Sequence, residues 1–158
     1  MLFLIIVISF NYSFSQKKIP TSTLKTLEGV TTNLQKLSQK NDLIIVSLWT
    51  TWCAPCKNEL DAINDVYQDW QDETKVKFYA ISVDDSRTVK RVRPLVNGKG
   101  WEFDVLLDTN NELKRSLGTA IIPLTLVISK GKIVYKSTGY TSGAEDDIYK
   151  VIKEKSKS

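Results

Sequence analysis

The chain has 158 residues, enough for one domain with a substantial core and too few for two ordinary ones. Hydrophobic residues at 42% and charged residues at 25% exclude a disordered polymer. The net charge of +4 is scattered along the chain, with no basic stripe interleaved with aromatics, so nucleic acid is not an expected partner.

The first ten residues, MLFLIIVISF, are almost wholly apolar. The run is too short to cross a bilayer, which takes about 20 residues, and has the length of a signal-peptide core. Ser13 and Ser15 stand at −3 and −1 of a possible cut before Gln16, although no Lys or Arg precedes the run. Residues 1–15 therefore read as a signal peptide, or uncleaved as a membrane tether, ahead of a domain spanning 16–158. The expected location is periplasmic or otherwise extracytoplasmic, reached by secretion across the inner membrane. A buried first strand is the alternative reading of the same run.

Residues 21–34 predict a small hairpin around Glu28-Gly29. Leu43 to Trp49 is a continuous apolar, β-branched run, which predicts a strand buried on both faces, as in a sheet covered by helices. Leu60, Ile63, Val66, Tyr67 and Trp70 then recur at helical spacing. Residues 75–85 predict a second strand, 86–96 a helix interrupted at Pro94, 97–100 a turn and 101–108 a strand. A short helix ending at Gly118 follows. Residues 124–129 and 132–138, joined at Lys130-Gly131, predict an antiparallel hairpin, and 144–155 a closing helix. This order implies a mixed sheet between helices.

Both cysteines, Cys53 and Cys56, lie between the first long strand and its helix. A metal centre would want about four Cys or His ligands, and the chain has two Cys and no His. Covalent haem attachment would want His after Cys56, where Lys57 stands. Neither a metal nor another cofactor is expected. The absence of His also removes Ser-His-Asp and Cys-His catalysis. As a staple, so short a loop would give only about 2 kcal/mol. What remains is thiol chemistry. At a helix start, unsatisfied N–H groups and the helix dipole favour a Cys53 thiolate. Cys56, one turn further in, is expected to be more buried. Cys53 would then attack a substrate disulfide and Cys56 resolve the mixed disulfide. Pro55 suits the first turn, where its missing N–H costs little.

The segment Trp49-Thr50-Thr51-Trp52-Cys53-Ala54-Pro55-Cys56-Lys57 resembles the active-site segment of the thioredoxin superfamily. Residues 118–125, with Ile122 before Pro123, resemble the loop that carries its cis-proline. The leading hairpin and the material around 84–108 are more similar to exported TlpA/ResA-like thiol-disulfide oxidoreductases than to compact thioredoxins. The resemblance implies a three-layer α/β/α sandwich with a mixed central sheet and an N-terminal hairpin extension. It implies that Cys53 and Cys56 form the redox-active disulfide, and that Pro123 is cis and faces it. Ile122 would offer backbone hydrogen bonds to an extended substrate, and Trp52 would flank the disulfide on the surface, with Trp49 in the core. Leu124 departs from the Thr frequent at its place. Ser47 stands where thioredoxins keep a buried acid, whereas Glu59 matches a Glu that some TlpA/ResA-like members carry three residues after the second Cys. Partial burial would let Glu59 exchange protons with the pair; a solvated helix carboxylate is the alternative.

The expected function is reduction of protein disulfides outside the cytoplasm, because Ala54-Pro55 supplies no group that would stabilise a thiolate as strong oxidants require. Its implied partners are client proteins with disulfides and a membrane electron donor of the thiol-disulfide type. Two alternatives stand beside it. A peroxiredoxin-like peroxidase would use the Thr50-x-x-Cys53 spacing with a nearby Arg. A non-catalytic binding module or metallochaperone could share the same fold.

Overall fold

All seven residues of β3 (Leu43–Trp49) are buried, as a continuous apolar run in the middle of a covered sheet must be. β3 pairs in parallel with β4 (Lys77–Ser82) and antiparallel with β6 (Leu124–Ser129). The computed structural model describes residues 19–157, so the expected signal segment lies outside the described residues. The remaining strands are β1 (Leu24–Thr26), β2 (Thr31–Thr32), β5 (Asp104–Leu107) and β7 (Lys132–Thr138), giving one mixed sheet in the order β2-β1-β5-β4-β3-β6-β7.

Among the described residues five α-helices cover the sheet: α1 (Leu34–Lys40), α2 (Ala54–Thr74), α3 (Val92–Lys99), α4 (Glu112–Ser116) and α5 (Glu145–Lys155). Alternation along β3 divides the core in two. Leu43, Ile45 and Trp49 pack with Leu60, Ile63, Tyr67 and Trp70 of α2, Val92 of α3 and Ile148 and Ile152 of α5. Ile44, Val46 and Leu48 pack on the other face with Leu34 of α1 and Leu113 of α4. This is a thioredoxin-like α/β/α sandwich, and the antiparallel β1–β2 hairpin extends it through β5, with Lys25 opposite Leu107.

Three local expectations need correction. α1 falls in a stretch that had no predicted helix; Asn33 caps it, its Oδ1 accepting the Lys36 N–H at 2.9 Å. Pro94 does not interrupt its helix, because a 3₁₀ turn (Val89–Arg91) precedes α3 and places Pro94 third in the new helix, where no intrahelical N–H is needed. Residues 97–99 continue α3, and the turn is confined to Gly100, left-handed at φ 64°. At the β6–β7 turn, Lys130 and Gly131 both have positive φ, 47° and 76°, the geometry of a two-residue hairpin, which explains the Gly there.

Candidate active site

Cys53 is the N-cap of α2, with an extended backbone, and its Sγ accepts the Cys56 N–H at 3.3 Å. Pro55 is the second helical residue. The sulfurs are joined, at an S–S distance of 2.03 Å and a Cα–Cα distance of 5.3 Å. Cys53 retains 7% exposure and Cys56 none. Of the two, only Cys53 keeps any exposure to a visiting group. Beside it Trp52 is 65% exposed, whereas Trp49 is fully buried.

The Ile122–Pro123 peptide bond is cis. Register places Leu48 opposite Leu124, so the loops carrying Cys53 and Pro123 leave the same end of the sheet. Pro123 is buried and its carbonyl accepts the Gly139 N–H at 2.9 Å. Half-buried Ile122 packs against the cluster that contains both cysteines. Among the described residues its own N–H and C=O have no hydrogen-bond partner.

Glu59 lies one turn beyond Cys56 on α2 and is 2% exposed, so it is not a solvated helix carboxylate. Its cradle follows from strand alternation. Ser47 and Thr125 replace an apolar side chain on the α2-facing sides of β3 and β6, and they are direct cross-strand partners. The Ser47 hydroxyl donates to Oε2 at 2.6 Å and the Thr125 hydroxyl to Oε1 at 2.7 Å. Burial raises the Glu59 pKa above its ordinary 4.5; the two hydroxyls pull against that shift and the charge of Glu145 adds to it. Residues three apart on a helix are neighbours, so a carboxyl with a raised pKa stands one turn from the buried Cys56.

Sequence reasoning brought together Cys53, Cys56 and Glu59, and placed Trp52 at the surface. It missed Thr125 as half of the Glu59 cradle and Asp84 as a buried carboxylate beneath the Thr50–Trp52 turn. The available signal was a hydroxyl residue, Ser47 or Thr125, inside each of two largely apolar strand runs. Among the described residues no group of three or more His, Cys, Asp or Glu could hold a metal ion.

Residues 15–136 match the model of the AhpC/TSA family. The chain belongs to that family. Within it the chain falls among the thioredoxin-like thiol-disulfide oxidoreductases. It is 29% identical over 124 residues to the thiol-disulfide oxidoreductase ResA of Bacillus thuringiensis (strain Al Hakam), covering 78% of this chain and 69% of that one. The solution structure of a thioredoxin-like protein from Porphyromonas gingivalis is 42% identical at a TM-score of 0.78, covering 90% of this chain and 94% of the other. A thiol:disulfide interchange protein DsbE from Chlorobium tepidum, 19% identical, shares the fold at a TM-score of 0.75, over 89% of this chain and 96% of that one.

Proposed function

We propose that this protein reduces disulfides of client proteins outside the cytoplasm, by exchange through Cys53 and Cys56. The observation that carries the reading is the asymmetry of the pair, a cysteine with residual exposure at the cap of α2 joined to one with none. In the dithiol form the Cys53 thiolate attacks one sulfur of a client disulfide and expels the other as a client thiolate. Cys56 gives its proton to Glu59 and its sulfur attacks Cys53 Sγ. The Cys53–Cys56 disulfide forms and the second client sulfur leaves, taking a proton. Two electrons have passed to the client, and a membrane thiol-disulfide donor restores the dithiol.

Glu59 also supports the direction. A carboxylate beside the pair disfavours thiolates, which destabilises the dithiol and strengthens it as a reductant. The unpartnered N–H and C=O of Ile122 could be met by an extended client segment, and Trp52 supplies apolar area beside the attacked sulfur. Residues 1–15 would direct or tether the domain of 16–158; among the described residues no helix is long and apolar enough to cross a membrane.

The test is trapping. Cys56→Ser should accumulate mixed disulfides with client proteins through Cys53, and Cys53→Ser should accumulate few. Equal trapping by the two variants would overturn the assigned roles.

A peroxidase reading is favoured by one observation, the Thr50 hydroxyl buried three residues before Cys53 without a partner among the described residues. Against it, Arg87, at the edge of the groove beside Trp52, is held by Asp85 at 2.7 Å. Turnover of hydrogen peroxide faster than that of a protein disulfide would make the peroxidase reading the better one.

A further inference from the structure

Asp84 stands just past the end of β4 and is 1% exposed, yet it belongs to no ion pair among the described residues. Its carboxylate takes two hydrogen bonds from a single residue. The Thr51 N–H donates to Oδ2 at 2.8 Å and the Thr51 hydroxyl to Oδ1 at 2.7 Å. The Ser82 hydroxyl adds a third, to Oδ2 at 2.9 Å. Both oxygens are thus engaged, and Thr51 is gripped through main chain and side chain together.

That grip falls on the turn between β3 and the cap of α2. Val83 N–H donates to the Trp49 carbonyl at 2.8 Å, carrying the β3–β4 pairing to this point, and Cys53 N–H closes the turn on the Thr50 carbonyl at 3.2 Å. The neighbouring polar side-chain atoms, Trp49 Nε1 and Thr50 Oγ1, are buried and make no hydrogen bond among the described residues. Asp84 is therefore the group that fixes this turn by side-chain bonding. Thr51 is two residues from Cys53, a span of at most about 7 Å of extended chain.

We propose that Asp84 is a positioning residue for the redox pair: by gripping Thr51 it sets where Cys53 and Trp52 leave the sheet, and its charge holds the pair toward the disulfide. The second part has a plain sign. A buried negative charge bonded to Thr51, two residues from Cys53, disfavours the thiolate, so its removal favours the dithiol. The inference rests on the exchange role proposed for Cys53.

The experiment measures, on the full chain, the equilibrium constant of the pair against glutathione and the rate of exchange with a small disulfide. Asp84→Asn keeps the shape and removes the charge. Its equilibrium constant should move about tenfold toward the dithiol, equivalent to about 30 mV. Thr51→Val deletes one donor and keeps the charge, so it should slow exchange several-fold without moving the equilibrium, and Thr51→Ser should restore the rate. A residue that only stabilises the fold would lower the melting temperature and leave the equilibrium constant alone. A folded Asp84→Asn with the wild-type constant overturns the proposal. If Asp84→Asn does not fold, the Thr51 pair decides, and Thr51→Val exchanging at the wild-type rate overturns it. A wild-type chain that fails to exchange with glutathione overturns the exchange reading, and this inference with it.

Discussion

The two faces of the sheet are built to different rules. Beneath α1 and α4, β3 presents Ile44, Val46 and Leu48 and β6 presents Leu124, Leu126 and Ile128, all of them apolar. Beneath α2 the same strands carry hydroxyl residues in register, Ser47 and Thr125, and the opening receives Glu59. The cysteines belong to this second face. A buried carboxyl without partners would be costly; two hydroxyls in register make this one tolerable without cancelling the desolvation that raises its pKa. One face thus supplies stability, and the other gives up some of it to keep a titrating group beside a sulfur.

Substitutions on each face should separate the two roles. The largest effect belongs to the apolar face. Ile44→Ala, at a position with no exposure, should lower stability by about 2–5 kcal/mol in denaturant unfolding, while the folded protein keeps the wild-type equilibrium with glutathione. Loss of both stability and redox equilibrium would blur the distinction between the faces.

Ser47→Ala comes next. It leaves Glu59 with one hydroxyl donor and should cost about 1–3 kcal/mol at neutral pH, with the Glu59 pKa rising further as a lowering influence is removed. Carboxyl titration followed by NMR would check the direction.

Glu59→Gln should act on pH dependence more than on stability at any one pH. The folded pKa is raised, so between the ordinary 4.5 and the raised value the folded chain holds a proton that the unfolded chain has lost. Stability therefore falls as pH rises through that window and is level above it. The amide removes this slope and can still bond both hydroxyls, since each can donate or accept. The variant should be at least as stable as wild type at pH 8 and slower in exchange above neutral pH. An unchanged pH profile of both stability and exchange would return Glu59 to a structural role.

The smallest effect on folding belongs to the exposed Trp52. Trp52→Ala should change stability by no more than about 0.5 kcal/mol, yet weaken exchange with protein disulfides while sparing small ones. A matched loss on both substrates would remove Trp52 from client contact.

Much of this was legible in the residues. β3, α2 and the β6–β7 hairpin carry strong periodic signals, and the cap position of Cys53 follows from a strand, a short turn and a helix in succession. α1 was hidden because only Leu34 and Leu37 mark its inner side within an otherwise polar stretch. Pro94 misled because its effect depends on where the helix begins, and the 3₁₀ turn before it is not visible in composition. The Glu59 cradle was half legible, since Ser47 is the one polar residue in its strand; its meeting with Thr125 depends on cross-strand register between distant segments. Asp84 was illegible for the same reason, as its grip on Thr51 joins two strand ends.

The most direct test is brief alkylation of the reduced protein near neutral pH, with the labelled cysteines located by peptide mass. A cap position and residual exposure at Cys53, against complete burial at Cys56, require label to appear on Cys53 first and in large excess. Equal labelling, or Cys56 labelled first, would contradict the division of work between the two sulfurs.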